Sequence, residues 1–301
     1  MIWANLLHLS FNMWEDWDAP GHTFRSYRPE LRFDDSLWHE LIARMTDAGM
    51  NMVVIDLGDG VRYETHPEIA VQQAWSVGRL REEIARLRSA GLEPIPKLNF
   101  ATTHDAWLGP YSRCVSTPEY YRVCNDLITE VAAIFDTPRF FHLGMDEENA
   151  HHQRDYRYVV IRQFDLYWHD FHFLRQAVER TGARPWIWSD YVWRHQDEFL
   201  RQVPTSVLQS NWYYDTRFDQ EAPDKRMAPD AYVTLDTFGY DQIPTASSFS
   251  SPDNFRLTVD YCRRLAPNRL FGFLQTPWRP TINEFRAQHL AAIEQVQDVI
   301  R

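Results

Sequence analysis

The sequence predicts an α/β fold, the (β/α)8 TIM barrel, and three observations predict it. Short apolar runs alternate with amphipathic stretches along the whole chain, so strands and helices take turns and the sheet is parallel. Eight such units fit into 301 residues, the size of a closed barrel. The first strand is followed by HLSFNMWEDW, where an open doubly wound sheet usually carries a glycine-rich phosphate turn. No linker, repeat or low-complexity segment divides the chain, so residues 1–301 read as a single domain.

Residues 2–9 (IWANLLHL) read as the first strand. A helix follows over 35–49: Asp34 or Asp35 can cap it, Leu37, Leu41, Met45 and Ala48 share one face, and Gly49 stops it. MVVIDL (52–57) is a buried strand, and 77–91 is a helix ending at Gly91. EPIPKLNF (93–100) is the third strand, and the helix 118–135 has Pro118 in its first turn. RFFHLG (139–144) leads to the longest helix, 161–181, which Gly182 ends. RPWIWSD (184–190) is the fifth strand, with a short helix at 195–202, and SVLQSNW (206–212) is the sixth. Residues 224–230 make at most one helical turn, AYVTLD (231–236) is the seventh strand, and a helix covers 253–265. RLFGFLQ (269–275) and the helix 282–300 close the barrel.

Lys+Arg number 31 against 42 Asp+Glu, a net charge of −11. That balance argues against nucleic acid, which needs a basic face, and against anionic lipid. No apolar run approaches the ~18 residues of a membrane span. Three cysteines, Cys114, Cys124 and Cys262, are too few for a disulfide scaffold and read as buried thiols in a reducing compartment. The N-terminal segment has neither a basic region nor a small-residue cleavage site. The expectation is a cytoplasmic protein without a cofactor, or a secreted one if a leader was trimmed, with a homodimer left open.

Twelve Trp and 15% aromatic residues exceed the needs of a core this size, and concave ligand sites favour aromatic linings. Active sites of such barrels lie at the C-terminal ends of the strands. Those ends carry His8, Ser10 and Asn12; Asp56 and Asp59; Asn99 and His104; His142, Asp146 and Glu147; Trp188 and Asp190; Asn211, Trp212 and Tyr214; Asp236 and Tyr240; Gln275 and Trp278. Indoles that stack on sugar rings, mixed with polar groups that bind hydroxyls, are the wall chemistry of a sugar site.

The sharpest signal is FHLGMDEE (141–148), three successive carboxylates after a strand. Glycosidic cleavage needs a proton donor for the leaving oxygen and a group that stabilises an oxocarbenium-like centre. Carboxylates at close range raise one another's pKa, so one can stay protonated as an acid. Adjacent strand residues point to opposite faces. The backbone must therefore leave strand geometry near Met145 for both acids to enter one pocket.

These residues resemble family 20 glycoside hydrolases, the β-N-acetylhexosaminidases. Their fourth strand ends in His-x-Gly-Gly-Asp-Glu, and this chain has His142-Leu143-Gly144-Met145-Asp146-Glu147. DLGDGVRYETHPEI (56–69) is similar to the segment after their second strand, and His104 matches a histidine after their third. Trp188, Trp212 and Trp278 look like their tryptophan box, and Tyr240-Asp241 loosely resembles their Tyr-x-Asp. The resemblance implies retaining, substrate-assisted hydrolysis of an oligosaccharide or glycoconjugate. Glu147 would be the general acid and base, and Asp146 would orient the 2-acetamido group. Tyr240 or Tyr214 would hold the acetamido oxygen, and His142 and His104 would orient the acidic pair.

The chain departs from that pattern. Met145 replaces a glycine, strand one ends without an arginine, and Arg279-Pro280 follows Trp278 where an acid is expected. His8, Asn12 or Arg25 would have to bind the outer hydroxyls. Arg279 reads as a surface residue that could also favour an anionic substituent. Two other readings stay open: a retaining glycosidase with Glu147 as acid/base and Asp236 as nucleophile, and a non-catalytic sugar-binding barrel. His151-His152 reads as part of a solvated loop. Nothing at the strand ends has the spacing of a metal motif.

Overall fold

The computed structural model describes residues 1–14 and 23–301. Eight parallel strands form one sheet: β1 (Ile2–His8), β2 (Met52–Asp56), β3 (Glu93–Lys97), β4 (Phe140–His142), β5 (Arg184–Trp188), β6 (Leu208–Ser210), β7 (Thr245–Ser247) and β8 (Gly272–Thr276). Their spatial order is β6-β5-β4-β3-β2-β1-β8-β7. Bridges from Gln209 to Gln242 and from Trp212 to Thr245 join the two ends. There Ile243 N–H donates to the Gln209 carbonyl at 2.9 Å and Thr245 N–H to the Asn211 carbonyl at 2.8 Å. The result is a (β/α)8 barrel.

Among the described residues eight α-helices alternate with the strands: α1 (Asp35–Asp47), α2 (Val77–Ser89), α3 (Pro118–Ile134), α4 (Phe164–Arg180), α5 (Gln196–Gln202), α6 (Pro223–Thr237), α7 (Asn254–Leu265) and α8 (Arg286–Ile300). Ser76 and Thr117 cap α2 and α3 by accepting from Arg79 N–H and Tyr120 N–H. Asp34 holds the N-cap position of α1 but makes no cap hydrogen bond. Its carboxylate instead accepts from Asn283 N–H at 2.6 Å and ties the last unit to the first. Among the described residues no helix is long and apolar enough to cross a membrane.

The period-two alternation of the strands sorts the core into two layers. Ile2, Ala4, Leu6, Met52, Val54, Ile95, Phe140, Trp186, Leu208 and Leu274 fill the barrel interior. Trp3, Leu7, Val53, Ile55, Phe141, Ile187 and Phe273 face outward and pack in the outer layer with helix residues. Following the same inward phase, the top of the barrel carries His8, Asp56, Lys97 and His142. A floor of buried polar groups therefore lies under the C-terminal rim.

The seventh unit differs from the sequence expectation. AYVTLD belongs to α6, and β7 is the three-residue stretch Thr245–Ser247. Ala231, Tyr232 and Leu235 are buried, at i, i+1 and i+4, the spacing of a helix face, which a short apolar run read without its neighbours does not tell from a strand. Asp236 consequently sits in the last turn of a helix, not at the catalytic end of a strand.

Candidate active site

Lys97 donates to the Asp56 carboxylate, and both side chains are buried. Burial and then the Lys97 charge hold His8 and His142 well below the usual imidazole range, so both are neutral. His142 Nδ1 accepts from Gly144 N–H at 3.0 Å, which fixes the turn that follows β4.

In that turn the chain leaves strand geometry. Gly144, Met145 and Glu147 have φ of 71°, 75° and 55°, in the left-handed region that L-residues rarely occupy. The three left-handed residues send both Asp146 and Glu147 into the barrel mouth. A Cβ on Gly144 would run into the Asn99 side chain and lie 2.8 Å from its Cα, so only glycine fits. Asn99 gains from this closeness. Its side-chain oxygen accepts from Ala101 N–H at 3.0 Å and Met145 N–H at 3.3 Å, and its amide donates to Asp146 Oδ1 at 2.8 Å.

His104 stands between the two acids. Its Nδ1 lies 3.2 Å from Asp146 Oδ1 and its Nε2 3.5 Å from Glu147 Oε2. Burial disfavours the imidazolium, but the charge of Asp146 and the hydrogen bonds to both acids outweigh it and raise His104 to about 10. Burial also works against the Asp146 carboxylate, and His104, Lys97 and Asn99 together hold it well below the usual range. The expectation that neighbouring acids raise one another therefore fails at Asp146, because three cationic or donor groups surround it. It holds at Asp190, which burial and then the Asp146 charge push to about 8.

Glu147 is positioned by its backbone: its N–H donates to Asp190 Oδ2 at 2.9 Å and its carbonyl accepts from the Thr103 hydroxyl at 2.8 Å. His152 Nε2 lies 3.2 Å from Glu147 Oε1. The third acid turns away. Glu148 accepts from Arg162 Nε at 2.7 Å and from Thr102 N–H at 3.2 Å. Arg162 also donates to Asp170 at 3.2 Å and to the Phe100 carbonyl at 2.7 Å. Glu148 anchors the loop and takes no part in the pocket.

Asp146 and Glu147 open into a cavity of about 400 Å³ whose walls include Trp188, Trp212, Tyr214 and Trp278. Trp188 and Trp278 are tilted against each other with centroids 6.1 Å apart, and Tyr214 stacks on Trp212 at 5.1 Å. The Trp188 indole N–H is buried without a partner among the described residues.

The fold is similar to that of solved family 20 β-N-acetylhexosaminidases. The exo-β-N-acetylglucosaminidase of Vibrio harveyi superposes with a TM-score of 0.64 at 12% identity, over 97% of this chain and 54% of that one. The β-N-acetylhexosaminidase of Streptomyces coelicolor A3(2) gives 0.63 at 12%, over 96% and 63%. A Streptomyces plicatus β-hexosaminidase mutant in complex with its GlcNAc product gives 0.65 at 13%, over 97% and 62%. This chain thus spans roughly half to two thirds of those proteins. No family model matches it, and no curated protein does.

Of the residues singled out in the sequence, Asp146, Glu147, His104, Trp188, Trp212, Tyr214 and Trp278 converge on the cavity. His142 lies beneath it, with its ring 4.4 Å from that of Trp188. Tyr240 and Asp241 are corrections: they precede β7 instead of following it. Tyr240 is buried and donates to the Val203 carbonyl at 2.7 Å. Asp241 pairs with Arg184 at 2.8 Å and Arg269 at 3.4 Å, beside the N-terminal ends of β5 and β8. Asp236 is there too, accepting from Arg269 N–H at 2.8 Å. It stands at the wrong end of the barrel for a nucleophile.

His151 and His152 are exposed residues of a loop, as the sequence suggests, but that loop also lines the cavity, which the sequence reading missed. Their signal was the long irregular stretch between β4 and α4, since βα loops build the site in this fold. His104, Asp146 and Glu147 are also close enough to hold a metal, with one ligand atom from each within 4.8 Å of the others. However, both ring nitrogens of His104 face carboxylates, an arrangement that suits an imidazolium bridging two acids.

Proposed function

We propose that this chain is a glycoside hydrolase that removes a terminal β-linked N-acetylhexosamine with retention, by substrate-assisted catalysis. The observation that carries the reading is the convergence of two successive acids on one indole-walled cavity with an imidazole between them. Asp146 is held as an anion, the state needed to accept the acetamido N–H and to stabilise a cationic oxazolinium ion. The substrate's acetamido carbonyl oxygen attacks the anomeric carbon as the bond to the leaving oxygen breaks. Glu147, with a quarter of its side chain exposed, gives its proton to that oxygen. It then takes a proton from the water that opens the oxazolinium ion. Tyr214 is the group suited to hold the acetamido oxygen, with Tyr240 removed from the site. Trp188, Trp212 and Trp278 form the platform for the sugar ring.

The reading is tested with aryl and alkyl N-acetyl-β-hexosaminides. Glu147→Gln should lower turnover of poor leaving groups by about 10²–10⁴-fold, the range of general acid catalysis, and of activated aryl groups far less. Asp146→Asn should impair both. Near-normal turnover by Asp146→Asn would remove its assigned role. Glycan binding without any wild-type turnover would leave a sugar-binding barrel instead.

A further inference from the structure

On the reading just given, we infer that His152 is the positioning residue that carries Glu147 through both of its roles, acid and then base, by exchanging neutral tautomers against Asn149. Glu147 must hold a proton before the glycosidic bond breaks, none after it, and one again once water has attacked. A partner that only donates favours the carboxylate and opposes the acid. His104 is such a partner: as an imidazolium it donates from both ring nitrogens, and its Nε2 lies 3.5 Å from Glu147 Oε2. The protonated form of Glu147 therefore needs an acceptor elsewhere. The irregular loop between β4 and α4 brings one, outside the segments that resemble family 20.

His152 Nε2 lies 3.2 Å from Glu147 Oε1, the oxygen that His104 leaves open, and 39% of the His152 side chain is exposed. Its Nδ1 meets both ends of the Asn149 amide, 2.8 Å from Nδ2 and 3.0 Å from Oδ1. The two ends are told apart because the His152 backbone N–H donates to the same Oδ1 at 3.1 Å. Asn149 is itself tied to the acid, its N–H donating to the Glu147 carbonyl at 2.8 Å. The hydrogen bond at one ring nitrogen sets which tautomer the other presents, and Asn149 can serve either. With the proton on Nδ1, Nδ1–H donates to Oδ1 and Nε2 accepts the O–H of the acid. With the proton on Nε2, Nδ1 accepts from the amide N–H and Nε2–H donates to the carboxylate. The exchange gives one proton to water from one nitrogen and takes one from water at the other, with no net change. The exposed edge of the ring lets water do this. Burial lowers the His152 pKa; the charges of Glu147 and Asp146 oppose that, and those of His104 and His151 reinforce it. The neutral ring is therefore favoured. Arg154 is directed at His151 Nε2, 2.9 Å away.

NMR reads the tautomer directly. The wild-type protein is labelled with 15N-histidine and 13C-carboxyl glutamate, and the His152 and Glu147 signals are assigned by their loss in His152→Leu and Glu147→Gln. As pH rises and the Glu147 carboxyl loses its proton, the His152 proton should leave Nδ1 and appear on Nε2. Kinetics supply the second readout. His152→Leu should lower kcat/KM for alkyl N-acetyl-β-hexosaminides by about tenfold or more, the worth of a hydrogen bond at an ionising group. His152→Gln, whose amide can turn to donate or accept, should recover most of that loss. A single His152 tautomer across the Glu147 titration overturns the inference, and so does an equal loss in the two variants, the mark of a merely structural imidazole. In either case turnover of N-acetyl sugars by the wild type leaves the hydrolase reading standing. If no 2-acetamido substrate reacts, that reading fails, and the NMR titration alone decides the tautomer exchange: a proton that changes nitrogen sustains it, and one that stays overturns it.

Discussion

Replacing His104 with glutamine separates the charge of the bridging imidazole from its hydrogen bonding. In the native site His104 is buried at 4% side-chain exposure, 3.2 Å from Asp146 and 3.5 Å from Glu147. Its pKa is raised to about 10, so its contribution to stability is complete below the unfolded value near 6.5. It declines as pH rises and is gone above 10. Asp146 is held low, so its contribution is present above its unfolded value near 4 and disappears as acid protonates it. Removing one partner of a buried ion pair costs about 3–5 kcal/mol. Glutamine can still donate one N–H, so a loss of about 3 kcal/mol is expected at pH 7. The gap between the two proteins should narrow as the pH approaches 10, where the native imidazole also loses its charge. An opposite charge at this distance lowers a carboxylate by about 1–3 units. Without it, the acid limb of the kcat/KM profile should move to higher pH by about 1–2 units. Urea unfolding at pH 7 and 10, with pH–rate profiles of both proteins, measures these effects. An unmoved acid limb together with an equal stability gap at both pH values would refute the ion-pair reasoning.

Met145→Gly removes left-handed strain worth about 1–2 kcal/mol but also a core side chain only 2% exposed, worth about 2–5 kcal/mol. The lost packing outweighs the relieved strain, so the variant should unfold about 1–3 kcal/mol more easily in denaturant titration; a more stable variant would show that strain dominates. Asp236→Asn should leave aryl glycoside turnover within about twofold, since this buried carboxylate holds Asn268 and Arg269 away from the cavity and its loss bears on stability rather than on the site. A loss of a hundredfold or more in steady-state assays would restore a role for this carboxylate.

Most of the barrel was legible because most of its strands are short apolar runs set between amphipathic stretches and several helices end at glycines, such as Gly49, Gly91 and Gly182, all with φ above 80°. β7 was not. Thr245–Ser247 is three small residues with no apolar pattern, while AYVTLD nearby mimics a strand and belongs to a helix. That single slip moved Asp236, Tyr240 and Asp241 to the wrong end of the molecule. The acidic turn was legible down to the need for broken strand geometry at Met145. The split of its triplet, with Glu148 drawn into an ion pair with Arg162, depends on a residue 14 positions away in an irregular loop. Periodicity carries no information about the path of such loops. His151 and His152, which the same loop folds over the cavity, were hidden for that reason.

The most direct measurement is the rate of hydrolysis of an aryl β-glycoside with a 2-acetamido group against the same sugar with a 2-hydroxyl. Substrate assistance by the acetamido carbonyl predicts turnover of the first, with a β-configured initial product, and negligible turnover of the second. Equal or faster cleavage of the 2-hydroxy sugar would contradict the account, because Asp146 and Glu147 would then be serving a reaction that needs no acetamido group.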